Sequence, residues 1–230
     1  MASVLVTGAS RGIGLELTRH YAEQGWRVYA TCRSPGESQP LAELAQAHPS
    51  LSVHRLDVTD HATIEALAEE LAGQPLDVLI NNAGIGGGRP VIGRLDYPLF
   101  DRILATNVVG PAKMVDAFLP HVEASDLRKI VCISSSLGSI TTAKGGSYLY
   151  RSSKSALNML MRSMAHDLVE RGVILTLLSP GVVDTDFTRY AAIPKIAPDV
   201  SARGLVATID RLTLEDAGCF IRYNGEIVPW

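Results

Sequence analysis

The sequence has few of the features that mark several protein classes. Its three cysteines are far apart and odd in number, so their spacing builds neither a disulfide framework nor a zinc site, and buried thiols are expected. The six histidines show no metal-ligand spacing. No apolar run approaches the roughly 18 residues of a membrane-spanning helix, and the uncharged, largely apolar stretch 173–183 is broken by Pro180 and Gly181. These absences argue against a metal centre and a membrane protein.

The sequence also has no large excess of charge of one sign. The 230-residue chain has a formal net charge of -3, and its basic residues are scattered, so nucleic acid is not an expected partner. The chain begins with a candidate strand and shows no basic segment or cleavage site of a secretory signal, which predicts a cytoplasmic location. Because it has no long linker rich in Pro, Gly or Ser, we expect a single domain over 1–230.

Short β-branched runs alternate with longer helical patterns along the whole chain. This alternation predicts βαβ units, and hence an α/β fold with a doubly wound parallel sheet of about seven strands and helices on both faces. Most of the predicted strands are almost entirely apolar, as strands covered on both faces should be. We expect strands at 4–7, 27–32, 51–56, 77–81, 129–134, 173–178 and 219–221, and helices at 12–24, 39–47, 62–71, 99–124, 148–171 and 200–212.

A glycine-rich segment, TGASRGIG at 7–14, connects the first predicted strand to the first predicted helix. Glycines here allow a tight turn and a close approach to a pyrophosphate, while the helix N-terminus offers N–H groups to the anion. The segment therefore indicates a dinucleotide site. It also contains Gly8-x-Ser10-x-Gly12, the pattern of a serine-hydrolase nucleophile elbow. The seven residues before Gly8 leave no room for the oxyanion loop that such an enzyme needs upstream.

A cation stands where the second predicted strand ends. Arg33 lies where a cofactor with a free ribose 2′-hydroxyl favours an acidic residue, and Arg11 adds a second cation in the glycine loop. Two guanidinium groups suit a 2′-phosphate, so the sequence favours NADP(H) over NAD(H). A solvated arginine at a strand end is the alternative interpretation of Arg33.

Tyr150 and Lys154 are four residues apart, hence on one face of the predicted helix 148–171. A nearby ammonium stabilises the phenolate and lowers the tyrosine pKa from its usual value of about 10. Lowering it to about 7 requires roughly 4 kcal/mol, which calls for a cofactor or second charge. Upstream, the apolar strand 129–134 runs into three serines at 134–136, whose hydroxyls can polarise a substrate carbonyl.

In combination, these motifs resemble those of the short-chain dehydrogenase/reductase family over essentially the whole chain. The resemblance implies a single-domain Rossmann fold, an oxidoreductase activity and NADPH or NADP+ as the cofactor. The motifs that carry it are TGASRGIG at 7–14, NNAG at 81–84, Asn107, the serine-ended strand, Tyr150-x-x-x-Lys154, and Pro180-Gly181 with Thr185.

The resemblance implies a role for each matching residue. Tyr150 is expected to exchange a proton with the substrate oxygen, and Ser135 to polarise that oxygen. Lys154 is expected to bind the nicotinamide ribose and lower the Tyr150 pKa, while Asn107 holds a water of the proton relay. The implied cofactor-binding residues, with Asp57 and Val58 at the adenine and Thr185 at the carboxamide, are Gly8, Ser10, Arg11, Gly12, Ile13, Gly14, Arg33, Asp57, Val58, Asn81, Ala83, Gly84, Tyr150, Lys154, Pro180, Gly181, Val183 and Thr185.

The choice among the three serines stays open. Ser135 fits the strand-end register, but its spacing to Tyr150 is two residues longer than the family leads us to expect, which an inserted loop at 138–147 can absorb. Tyr148 is set aside because only Tyr150 has a lysine four positions on. Substrate specificity is expected to come from the loops 85–93, 137–147 and 184–198, which are mostly apolar and carry Arg89, Lys144, Arg189 and Lys195.

A closer resemblance lies in SSLGSI at 135–140, YRSSKSALN at 150–158 and YNGE at 223–226, followed by Pro229 and Trp230. These segments are similar to the subgroup of sniffer carbonyl reductases and C-factor-like bacterial proteins. This implies NADPH-dependent reduction of a small carbonyl compound, a ketone, aldehyde or quinone, by a homodimer or homotetramer. The alternative is a C-factor-like dinucleotide-binding signalling or regulatory protein whose catalysis is weak or vestigial.

Overall fold

The computed structural model describes residues 1–87, 91–189 and 192–230, and in them strands and helices alternate along the chain. Within these residues the strands are β1 (Ser3–Val6), β2 (Arg27–Cys32), β3 (Leu51–Arg55), β4 (Val78–Asn81), β5 (Lys129–Ile133), β6 (Ile174–Ser179) and β7 (Phe220–Arg222). The α-helices are α1 (Gly12–Glu23), α2 (Gln39–Ala47), α3 (His61–Glu70), α4 (Tyr97–Leu104), α5 (Gly110–Glu123), α6 (Tyr148–Val169) and α7 (Pro198–Arg211).

The strands form one sheet in the order β3-β2-β1-β4-β5-β6-β7, and neighbouring strands pair in parallel throughout. This confirms the predicted doubly wound α/β fold. Since β1 lies between β2 and β4, the order reverses at β1 and β4, and the loops that follow these two strands diverge. Open parallel sheets bind their ligands in the crevice that this reversal leaves at the carboxyl edge.

The sheet is covered on both faces. One apolar layer includes Tyr21 of α1, Leu41 of α2 and Leu205 of α7. The opposite layer includes Ile64 of α3 and Phe118 of α5, together with residues of α6. Every residue of β1, β4, β5 and β6 is buried, which explains why these strands read as continuous apolar runs.

The predicted helix 99–124 is not one regular helix. It consists of α4 and α5 joined by a π-helical turn, Ala105–Val109, in which the Gly110 N–H donates to the Ala105 carbonyl five residues back. The physical reason is Pro111, which has no N–H to donate to the Asn107 carbonyl four residues before it. Single π turns of this kind occur frequently at functional sites, and this one contains Asn107.

Candidate active site

A cleft of about 1150 Å³ opens at the carboxyl edge of the sheet. The loops that follow β1, β4, β5 and β6 line it, together with the first turns of α6. The structure therefore brings together most of the site residues that were predicted from the sequence. Those that line the cleft are Gly8, Ser10, Arg11, Gly12, Ile13, Gly14, Arg33, Asp57, Val58, Ala83, Gly84, Ser135, Tyr150, Lys154, Pro180, Gly181, Val183 and Thr185.

The glycine loop is packed too tightly for side chains at two of its positions. Gly8 has a φ of +69°, and a Cβ built on it lies 3.0 Å from the Ala83 Cα. A Cβ on Gly14 lies 2.2 Å from the Gly8 carbonyl oxygen. The loop thus forms a close-packed cradle at the N-terminus of α1, where backbone N–H groups can approach an anion. This cradle fits the pyrophosphate of a dinucleotide.

Thr7 and Asn82 fasten this loop to the segment after β4. The Thr7 hydroxyl accepts hydrogen bonds from the N–H groups of Asn82 (2.9 Å) and Ala83 (3.0 Å). The Asn82 side-chain amide donates to the carbonyls of Thr7 (2.8 Å) and Gly8 (3.2 Å). Both residues stand inside the sequence motifs, but neither was nominated as a site residue, because nothing in the sequence shows that the two motifs face each other.

Cationic groups gather where Asp57 lines the cleft. Its carboxylate accepts from the N–H (2.9 Å) and the hydroxyl (2.7 Å) of Thr59. Burial raises the pKa of this carboxyl, but the bonds from Thr59 and the guanidinium groups of Arg33 and Arg55 outweigh burial and hold the pKa below its ordinary value. Arg33 is exposed, so its guanidinium can meet a phosphate. No motif in the sequence singles out Arg55.

Arg11 has a partner in the structure. Its guanidinium pairs with the Asp186 carboxylate at 3.2 Å, joining the glycine loop to the loop after β6. Both side chains are well exposed, so the ion pair is weak and open to exchange. Arg33 is therefore the better-placed cation for a 2′-phosphate, whereas Arg11 must first leave Asp186.

Tyr150 and Lys154 lie in the first turns of α6. Burial of the Tyr150 hydroxyl raises its pKa to about 12, so the lowering expected from Lys154 is not found, although the Ser135 side chain acts against the effect of burial. Burial lowers the pKa of Lys154 to about 8. The Lys154 ammonium donates to the Ile133 carbonyl at 2.8 Å and lies 5.8 Å from the centroid of the Tyr150 ring. At neutral pH the pair is therefore a neutral phenol beside an ammonium.

The structure distinguishes the three serines at the end of β5. Ser134 is buried, and its hydroxyl donates to the Asn158 side-chain oxygen at 2.5 Å. The Ser136 N–H donates to the Ser179 hydroxyl at 3.2 Å. Ser135 is the one whose side chain acts on Tyr150, whose pKa it lowers against the effect of burial. The structure thus favours Ser135, in agreement with the strand-end register.

Helix α6 packs unusually close to the serine turn. A Cβ on Gly138 lies 2.9 Å from the backbone carbon and the Cβ of Lys154. The Gly138 carbonyl also accepts from the Ser155 hydroxyl at 2.9 Å and the Asn158 amide at 3.4 Å. These contacts fix the strand end that carries Ser135 against the helix that carries Tyr150.

Two nominated residues lie behind the cleft rather than in its lining. The buried Asn107 side chain accepts from the Ile85 N–H (2.9 Å) and donates to the Ile85 carbonyl (2.9 Å) and the Ser153 hydroxyl (3.0 Å). Asn81 is buried in β4, and its amide donates to the Pro111 carbonyl at 3.4 Å. Asn107 therefore braces the start of the substrate loop, and its expected water-binding role stays a prediction.

The structure describes part of the predicted substrate loops. Leu137, Ile193 and Phe187 line the cleft. Lys195 pairs with Asp184 at 3.1 Å, so its charge is already matched within the loop. Arg89 lies outside the described residues.

The hydrolase alternative gains no support, since Ser10 has no hydrogen bond to a histidine within the part of the chain that the structure describes.

Comparison with known proteins assigns the chain to a family. The family model for the short chain dehydrogenase matches residues 2–194. The chain belongs to the short-chain dehydrogenase family. Among curated proteins it is similar to the C-signal of Myxococcus xanthus, with 41% identity over 169 residues, which covers 73% of this chain and 100% of that protein.

Solved structures of carbonyl reductases share the whole architecture with this short-chain dehydrogenase. The NADPH-bound carbonyl reductase from chicken fatty liver is 35% identical with a TM-score of 0.93, and the match covers 100% of this chain and 99% of that chain. The carbonyl reductase Sniffer of D. melanogaster is 31% identical with a TM-score of 0.93 over 100% of both chains. The predicted family is thereby confirmed, and the protein is an oxidoreductase with the fold of that family. No helix among the described residues is long and apolar enough to cross a membrane.

Proposed function

We propose that the protein is an NADPH-dependent carbonyl reductase. The observation that carries the proposal is that Ser135, Tyr150 and, one turn along the same helix, Lys154 line the same cleft as the glycine cradle. This arrangement offers a hydroxyl pair to a substrate oxygen beside a site for a dinucleotide. The similar chicken and fly proteins are described as carbonyl reductases, which supports the substrate class.

The residues of the cleft fit NADPH. The cradle at Gly8 and Gly14 admits the pyrophosphate, the exposed Arg33 suits the 2′-phosphate, and the Lys154 ammonium can hold a ribose hydroxyl. When bound, NADPH supplies the hydride that reduces the carbonyl carbon.

Tyr150 is the proposed proton donor. With a pKa of about 12, its phenol is protonated at neutral pH and can give its proton to the oxygen of the reduced carbonyl, which completes the alcohol. The phenolate that remains is stabilised by the Ser135 hydroxyl and by the Lys154 ammonium, which is charged below its pKa of about 8. Ser135 also polarises the carbonyl before the proton moves.

The test is NADPH consumption by the purified protein with a panel of quinones, diketones and aldehydes. We expect one alcohol, or one hydroquinone, to form for each NADPH oxidised. Absence of NADPH loss with every member of the panel contradicts the proposal.

The second candidate is a dinucleotide-binding signalling protein, which the similarity to C-signal favours. The intact set of Ser135, Tyr150 and Lys154 weighs against it, because a pure binding protein has no need of these side chains in a reactive arrangement. Tight NADPH binding without turnover, together with recovery of a defined protein partner, would support this candidate over the reductase.

We further propose that the protein works as a homodimer or homotetramer. Large apolar side chains are exposed on helical surfaces outside the cleft, among them Tyr97 of α4 and Met159 of α6, each 65% exposed. Covering such side chains is favourable. Light scattering after size-exclusion chromatography measures the assembly, and a monomer at micromolar concentration contradicts it.

A further inference from the structure

The ring of Phe187 covers one side of Tyr150. The two ring centroids are 5.3 Å apart, and the ring planes are inclined by 59°. Tilted aromatic pairs at this distance are favourable beyond the area they bury. Phe187 lines the cleft and is still 51% exposed, so part of its surface stays open to a ligand.

The Phe187 ring lies directly against Gly86. A Cβ built on Gly86 lies 2.9 Å from the Phe187 Cζ and 3.4 Å from its Cε2. Any side chain at position 86 therefore forces the ring away from its present place. The loop after β4 and the loop after β6 thus jointly fix the position of one aromatic ring.

The turn that carries Phe187 is held by local bonds. The Thr188 N–H donates to the Thr185 carbonyl at 3.0 Å, and the Thr188 hydroxyl donates to the Val183 carbonyl. Farther along the loop, the Asp184 N–H donates to the Ile196 carbonyl at 2.9 Å, which closes the neck of the loop. The ring is thus positioned before any substrate arrives.

The charges beside Phe187 are matched within the protein. Asp186, the preceding residue, pairs with Arg11 at 3.2 Å, and Asp184 pairs with Lys195 at 3.1 Å. The cleft lining also includes the apolar side chains of Leu137 and Ile193, and the charged Arg189 lies two residues after Phe187. Next to Tyr150, the half-exposed Phe187 ring therefore offers an aromatic surface.

We infer that Phe187, seated on Gly86, is a specificity-determining residue that packs against the substituent of a carbonyl held by Tyr150 and favours aryl over alkyl substituents. The inference rests on the proposed reductase function. An aryl group can stack on the open part of the ring, whereas an alkyl chain gains only apolar contact.

The experiment compares kcat/KM for benzaldehyde and heptanal, two aldehydes with the same number of carbons, in the wild type, Phe187→Ala, Phe187→Leu and Gly86→Ala. We expect the aryl-to-alkyl ratio to fall about tenfold in Phe187→Ala and about threefold in Phe187→Leu, which keeps apolar volume but not the ring. Gly86→Ala is expected to lower the ratio in the same direction, since it displaces the ring without removing it.

Ile227→Ala serves as the control, because Ile227 is exposed and lies outside the cleft lining, and its ratio is expected to match the wild type. If the Phe187 and Gly86 variants keep the wild-type ratio, or lose activity on both aldehydes by one common factor, the inference is wrong although the reductase function stands. If the wild type does not oxidise NADPH with any of the carbonyl compounds tested, the proposed function itself fails.

Discussion

The two sides of the cleft are built in different ways. The cofactor side rests on backbone that is close-packed and buried, with Gly14 against the Gly8 carbonyl and Thr7 bonded to the segment after β4. The substrate side is a loop whose ring-bearing residue is half exposed and whose shape depends on local turns and on exposed ion pairs.

Because of this difference, the residues that bind the cofactor and the residues that select the substrate lie on backbone of different kinds. Close-packed backbone tolerates few substitutions, so the cofactor site is encoded by short, recognisable motifs. A loop held by its own local bonds can change side chains without disturbing the sheet. We therefore expect substitutions on the two sides of the cleft to have different effects.

The largest effect is expected at the cradle. Gly14→Ala places a methyl group 2.2 Å from the Gly8 carbonyl oxygen, so we expect a loss of about 3 kcal/mol in the free energy of unfolding, together with loss of NADPH binding. Urea denaturation and fluorescence titration measure the two quantities. Gly36→Ala is the control, because a Cβ there meets no atom within 4 Å. Equal stability of the two variants would show that the cradle is not close-packed.

Lys154 gives the next effect, through pH. Its pKa in the folded protein is about 8, below the ordinary lysine value of 10.5, so between these values the unfolded chain binds more protons and folding is favoured as the pH rises. Relative to Lys154→Met, the wild type should gain about 2 kcal/mol of unfolding free energy between about pH 7 and pH 10. Denaturation at several pH values measures this gain. A parallel pH dependence in wild type and variant contradicts the burial of a charged lysine.

Arg33 tests the cofactor choice. Loss of a charge-assisted hydrogen bond to a 2′-phosphate should weaken NADPH binding about tenfold in Arg33→Ala and leave NADH binding unchanged. Titration of both cofactors measures the preference. Arg27→Ala, at the other end of β2, is the matched control. If Arg33→Ala weakens NADPH and NADH equally, the arginine does not read the 2′-phosphate.

Ser134 gives the smallest effect on stability. Ser134→Ala removes the hydrogen bond to Asn158 that joins β5 to α6, and we expect a loss of about 1 kcal/mol in unfolding free energy with a lower kcat, because Ser135 and Tyr150 lose their shared support. Ser163→Ala, on the exposed face of α6, is expected to change neither. An unchanged kcat in Ser134→Ala would show that this bond does not position the active site.

Much of this architecture follows from the sequence, because strands buried on both faces are apolar runs with clear ends. All seven strands lie within one residue of their predicted bounds. The π turn at Ala105–Val109 could not be predicted, since the apolar periodicity continues through it and only Pro111 hints at the change.

The candidate site, too, could be predicted only in part. Tyr150, Lys154 and the glycine loop were found from motifs, because their spacing along one segment sets their geometry. The pairing of Arg11 with Asp186 joins residues 175 positions apart, and the seat of Phe187 on Gly86 joins two loops. Contacts of this kind depend on the folded sheet, and no local pattern encodes them.

The most direct test of the central claim compares the wild type with Tyr150→Phe in steady-state reduction of a carbonyl compound by NADPH, with cofactor affinity measured alongside. We expect kcat to fall at least about 100-fold, because the proton donor is gone, and NADPH affinity to stay unchanged. Wild-type kcat in Tyr150→Phe would contradict the role of Tyr150 as the group that protonates the substrate oxygen.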